Sequence, residues 1–76
     1  MSIPVINIVE TGANIRRLRK QSNIAINSLC DIFGFNTPQA IYKWEQGRSL
    51  PTLDNLVILA KIFNVDINSI LCITEV

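Results

Sequence analysis

The run Thr37-Pro38-Gln39-Ala40-Ile41-Tyr42-Lys43-Trp44-Glu45-Gln46-Gly47 constrains this chain more than any other part of it. Thr37 offers a side-chain oxygen as an N-cap, Pro38 suits the first helical position, and Gly47 can take the left-handed conformation that ends a helix. A short helix from Pro38 to Gln46 is expected, punctuated at both ends. Ile41 and Trp44 fall on one side of it, whereas Gln39, Tyr42, Lys43 and Gln46 recur at i, i+3, i+4 and i+7 on the other. The apolar side has to lie on a core. The polar side is either an ordinary solvated face or, with Gln near the start and Lys one turn later, a surface suited to base edges in a DNA major groove.

A chain of 76 residues has room for one domain, near the lower size at which folding succeeds without metals or disulfides. With 49% hydrophobic and 17% charged residues it has the composition of a folded domain rather than a disordered tail. A net charge of +1 does not by itself point to nucleic acid, so the distribution of charge has to be read instead. Arg16, Arg17, Arg19 and Lys20 are clustered, while Glu10, Asp31, Asp54, Asp66 and Glu75 are scattered. Cys30 and Cys72 lie far apart and form no metal spacing, which fits a reduced, cytoplasmic chain. No apolar run approaches the roughly 18 residues of a membrane span, and no basic segment precedes an apolar one at the N-terminus. Neither export nor membrane insertion is expected.

Ser2 to Val9 is apolar and β-branched with one proline, an extended arm or edge strand, and Ile70 to Thr74 has similar character. The two ends either pair, within a chain or between subunits, or fray. A first helix is expected from Gly12 to Ser22 with Thr11 as N-cap, its stripe formed by Ile15, Leu18 and Ser22. Arg16, Arg17 and Lys20 then face water, as solubilising charge or as phosphate contacts, and Arg19 lies at the core edge and needs a partner. A second helix covers Ile26 to Phe33, with Leu29 and Phe33 inward and Gly34 closing it, and Phe35 drops into the core. The tight connection to Thr37 makes a helix-turn-helix arrangement. Thr52 caps a fourth helix whose stripe is Leu53, Leu56, Leu59, Ala60 and Phe63, and Asp66 caps a short fifth helix carrying Ile67, Ile70 and Leu71.

Taken together, Leu18-Arg19-Lys20, Leu29, Gly34, Ile41 to Arg48, Leu50-Pro51, Leu53, Leu56 and Leu59-Ala60 resemble the helix-turn-helix domain of phage repressors and Cro proteins, the xenobiotic-response-element family of bacterial regulators. The resemblance spans about residues 13 to 71. It implies an all-α, five-helix lambda-repressor-like DNA-binding domain over residues 11–76, behind a short extended arm over residues 1–10. Its partner would be double-stranded DNA, with no cofactor, metal or small-molecule substrate. By position in the motif, Gln39, Ala40, Tyr42 and Lys43 would meet bases. Gln39 can bind adenine bidentately and Lys43 can reach guanine O6 and N7. Asn27, Asn36, Thr37, Arg48 and Ser49, with backbone amides near Thr37 and after Gly47, would hold the sugar-phosphate strand. Arg19 and Glu45 occupy positions that form a buried ion pair in some relatives, in agreement with the inward placement of Arg19.

Departures from the pattern matter as much. One extra residue, assigned to Asn36, lengthens the turn before the recognition helix. Ala25 and Ile26 stand where relatives often carry a serine cap and a phosphate-binding glutamine, with Asn27 as the substitute. Pro38 occupies a position often used for base contact. Ile26, Ile32, Ile58 and Ile62 replace usually polar residues, and Ile58 and Ile62, one turn apart, together with Ile73 and Val76, would form a homodimer face.

Two other classes compete with DNA binding. An enzyme is disfavoured by the absence of histidine, of a glycine-rich phosphate loop and of a Cys-x-x-Cys motif. A protein-interaction module, antitoxin-like or an adaptor, shares the same fold. The polarity of Gln39, Tyr42, Lys43 and Arg48 suits a wet, charged groove better than the centre of a protein interface.

Overall fold

Residues 1–76 are described by a computed structural model. The order of elements is β1 (Pro4–Ile6), α1 (Ile8–Gln21), α2 (Ile26–Phe33), α3 (Gln39–Glu45), α4 (Leu53–Phe63), α5 (Ile67–Ile70) and β2 (Ile73–Glu75). The ends do pair: β1 and β2 form an antiparallel ribbon with Pro4 opposite Glu75, Val5 opposite Thr74 and Ile6 opposite Ile73. All six of these residues are exposed, so the ribbon lies outside the core.

Helix α1 starts four residues before the expected Gly12. Asn7, not Thr11, is its N-cap, and the Asn7 Oδ1 accepts from the Glu10 N–H at 3.0 Å. The extended arm therefore stops at Asn7 rather than at residue 10. Asn7 is also the hinge between ribbon and helix, because its own N–H donates to the Cys72 carbonyl at 2.7 Å. Thr11 is fully buried inside α1, and its Oγ1 accepts from the Cys72 N–H at 2.9 Å. Its hydroxyl satisfies a backbone amide of the C-terminal segment instead of one at the start of its own helix.

Four helices end in the same way. Asn23, Gly34, Gly47 and Asn64 have φ of 61°, 72°, 73° and 55°, the left-handed conformation. In each case the next residue's N–H reaches back five residues to a carbonyl at 2.9–3.1 Å. This satisfies carbonyls that the helix itself leaves free, and it turns the chain sharply so that the next helix can pack. At α4 the Thr52 Oγ1 caps as expected, accepting from the Asn55 N–H. Asp66 precedes α5 but makes no side-chain cap bond.

The core consists of Ile15, Leu18, Leu29, Cys30, Ile41, Trp44, Leu56, Leu59, Phe63 and Ile70. Leu53, expected in that stripe, is 81% exposed. It is the first residue of α4, and its side chain projects towards the helix N-terminus, past the surface that Leu56 and Leu59 cover.

Helix α3 is seated chiefly on α1. A Cβ added to Gly12 would collide with the Trp44 carbonyl oxygen and lie 3.0 Å from the Glu45 carbonyl oxygen and the Gly47 nitrogen. The two backbones are in contact there, and only glycine leaves room. On the same side, a Cβ on Gly47 would lie 2.7 Å from the Cα of Val9. Arg19 of α1 adds a charged clamp: its Nε donates to Glu45 Oε2 at 2.7 Å and its Nη2 to Oε1 at 3.3 Å. Its Nη1 donates to the Ile24 carbonyl at 3.1 Å, which ties the α1–α2 connection to the same group. The side chains are 12% and 5% exposed, so the pair is largely shielded from solvent screening.

Two stability experiments follow from this packing. Gly12→Ala would gain about 1 kcal/mol of helix propensity, but the backbone collision outweighs it. A net loss of about 2 kcal/mol is expected in urea titration. Gly34→Ala meets no neighbour and should lose about 1 kcal/mol through its left-handed backbone alone. Gly34→Asn should lose less still, since asparagine already fills that role at residues 23 and 64. Glu45→Ala strands the Arg19 charge and should cost about 3–5 kcal/mol. The apolar double variant Arg19→Met with Glu45→Leu should recover most of that loss; additive losses in the double variant would show that the pairing is not what holds the two helices.

Candidate nucleic-acid interface

Helix α3 begins one residue later than expected. Residues 36–38 form bends, Pro38 is the residue preceding the helix, and neither Thr37 nor any other side chain caps it. Because the helix starts at Gln39, Pro38 and not Thr37 stands at the capping position. Pro38 contributes its carbonyl, which accepts from the Tyr42 N–H at 3.0 Å.

The inward face is as expected. Ile41 is fully buried and Trp44 is 4% exposed. Phe33 and Phe35 stack at 5.4 Å between centroids, and both meet Trp44 edge-on at 5.4 and 5.8 Å. This aromatic trio straddles the left-handed Gly34, so the turn between α2 and α3 is packed on the indole. With Arg19–Glu45 and Gly12 on the other side, α3 is held from both flanks.

On the outward face Gln39, Tyr42, Lys43 and Gln46 are exposed and contiguous, while Ala40 beside them is half-buried. No side chain hydrogen bond or ion pair within the chain engages Gln39, Lys43 or Gln46. Their donors are therefore free, on a helix whose position is fixed by its opposite face.

The residues assigned to phosphate lie at the start of α2, in the turn before α3 and just after it. Asn27 is exposed in the first turn of α2, Asn36 and Thr37 are exposed in the turn, and Arg48 is exposed just past α3. Ser49 is half-buried. The amides after Gly47 differ from expectation: the N–H groups of Arg48 and Ser49 both turn back to the Lys43 carbonyl, at 2.9 and 3.4 Å. They close the helix, leaving the guanidinium of Arg48 as the group there that can reach out. At α2 no side chain caps the first turn, in keeping with Ala25 at the cap position.

The apolar face on α4 is only partly where it was expected. Ile58 is 38% exposed, but Ile62 is half-buried and packs against the core. Leu53 at 81% and Val57 at 57% are the more open apolar residues of that helix. Periodicity put Leu53 in the buried stripe and did not single out Val57, whereas cover of the inner face begins only at Leu56, one turn into the helix.

No helix is long and apolar enough to cross a membrane, and no three His, Cys, Asp or Glu side chains come together as a metal site. The helix-turn-helix family model matches residues 15–70. No curated protein matches the chain. Among solved structures, the crystal structure of the DNA-binding domain of BldD superposes with a TM-score of 0.71, covering 87% of this chain and 94% of that one at 19% identity, a likeness of fold. The match over most of the length, the five-helix architecture and a third helix locked by its tryptophan lead to one conclusion: this chain belongs to the Cro/C1-type helix-turn-helix family.

Proposed function

We propose that the chain is a sequence-specific double-stranded DNA-binding protein, a small cytoplasmic transcriptional regulator of bacterial or phage type, with α3 as the helix that enters the major groove. The observation that carries this reading is the row Gln39, Tyr42, Lys43 and Gln46, free of partners on a helix whose other side is buried. Family membership supports it, and so does the fold shared with a domain described as DNA-binding.

Gln39 and Lys43 read base edges, with Ala40 and Tyr42 offering apolar contact to a thymine methyl or a hydroxyl to phosphate. Asn27, Asn36, Thr37, Ser49 and the Arg48 guanidinium position the strand. Their contributions are separable. Lys43→Ala should weaken binding to a selected site by about 1–3 kcal/mol while barely changing binding to mixed sequence. Arg48→Ala should weaken both equally and lower the slope of log K against log salt by about 0.9. Selecting bound duplexes from a random pool, then measuring both variants against the selected site, tests this; equal, sequence-independent losses would reject the base-reading role of Lys43.

One such domain offers few base readers, so a two-fold pair gains by placing two recognition helices about 34 Å apart on a near-palindrome. The proposed contact is the exposed part of α4 around Ile58, with the half-buried Ile62 at its margin. Ile58→Glu should lower the sedimenting mass from dimer to monomer without disturbing the core; an unchanged mass would remove this face from consideration.

A further inference from the structure

Helices α1 and α3 lie side by side, and an open groove of about 280 Å³ runs between them. Arg16 and Lys20 form its α1 wall, Tyr42 and Gln46 its α3 wall, and Ile26 its end at the start of α2. The Arg19–Glu45 pair also borders it. That pair is internally neutral, so it leaves Arg16 and Lys20 uncompensated. Arg19–Glu45 is the chain's only ion pair, and neither Arg16 nor Lys20 donates to any side chain or carbonyl. The remaining cation of the cluster, Arg17, points elsewhere. Its Nη2 donates to Asn14 Oδ1 at 3.3 Å, and Asn14 in turn donates to the Ile70 carbonyl at 2.9 Å, on the side of α1 that faces α5.

From this we infer that the α1–α3 groove is a second binding track for the duplex, in which Arg16 and Lys20 hold the sugar-phosphate backbone beside the bases read by α3. The inference rests on the DNA-binding reading above and extends it to helix α1. Arg16 and Lys20 stand one helical turn apart, about 6 Å along α1, on the scale of the gap between successive phosphates of one strand. The groove opens onto the same exposed face as Tyr42 and Gln46, so a strand lying in it would run beside a helix placed in the major groove. The placement also answers a deficit. Ile26, at the groove's end, has no polar group to offer a phosphate, and α2 has no capping side chain there. The two cations of α1 supply charge at the point where the start of α2 offers only the neutral side chain of Asn27. An acidic protein segment would be the competing occupant, but Tyr42 and Gln46 already belong to the row proposed to face DNA, and a protein in the groove would obstruct it.

The test uses the full chain and a fluorescently labelled mixed-sequence duplex, with affinity measured over a salt series. Each of Arg16→Gln and Lys20→Gln should lower the slope of log K against log salt by about 0.9, and the double variant by about 1.8. Base preferences in a random-pool selection should not change. Arg17→Gln, which removes the same charge from the same helix, should leave the slope nearly as it was, and Arg16→Lys should preserve it. Thermal melts of each variant separate lost contacts from lost folding. Unchanged slopes for Arg16→Gln and Lys20→Gln in a chain that binds duplex would overturn this inference alone, as would an equal drop for Arg17→Gln, which would indicate diffuse charge rather than a track. Failure of the unaltered chain to bind any duplex would overturn both readings.

Discussion

Arg19 bridges three parts of the structure with one guanidinium: helix α1 that carries it, Glu45 at the end of α3, and the carbonyl of Ile24 in the connection before α2. A largely buried charge of this kind is tolerable only if its hydrogen-bonding capacity is met, and the two-point contact to Glu45 meets it. The pairing fixes the rotation of α3 about its own axis. A turn in either direction would break one of the two bonds, which are largely shielded from solvent. Rotation about that axis also decides which residues face outward, so the orientation of Gln39, Tyr42 and Lys43 follows in part from the contact that Glu45 makes at the end of the helix.

Sterics complete what the ion pair begins. Without a side chain on Gly12, α1 and the last turn of α3 approach to backbone contact, and the left-handed Gly47 then turns the chain away beneath Val9. Phe33 and Phe35 close the other flank against Trp44. A helix as short as α3 would not persist alone in water. Here tertiary contacts hold it, and its exposed face has no structural duty. That division of labour leaves side chains of α3 free in a domain with a net charge of only +1, and Arg16 and Lys20 line the groove beside it. Of its Lys and Arg residues, Arg16, Lys20, Lys43 and Arg48 lie on or just after α1 and α3, while the acidic residues not engaged by Arg19 are spread from Glu10 at the start of α1 through α2, α4 and the start of α5 to β2.

Much of this was legible in the residues. Helical spacing of apolar positions located α2, α4 and α5, Gly34 and Gly47 marked two helix ends, and Thr52 marked a start. The inward faces of Ile41 and Trp44 and the partnership of Arg19 with Glu45 followed from pattern and resemblance, and the structure has both. The misreadings share a cause. Thr11 and Thr37 are good caps by type, but a cap also depends on where the chain enters the helix. Asn7 with Glu10 three residues on was the stronger start signal for α1, and α3 starts at Gln39, which leaves Thr37 one residue too early to cap it. Leu53 and Ile62 have the expected residue type and period, yet burial depends on which neighbour covers each turn.

Local sequence alone determined the helices, most of their ends and the two-sidedness of α3, because capping, left-handed termination and apolar spacing act over a few residues. Only the tertiary structure decided the rest. It set the antiparallel pairing of the chain's ends, the contact of Gly12 with Trp44, and the separation of Arg16 and Lys20, along a groove, from Arg17, tied to Asn14. Those outcomes depend on the angle and distance at which two helices meet. That geometry is set by the simultaneous packing of side chains far apart in the chain, which no local window contains.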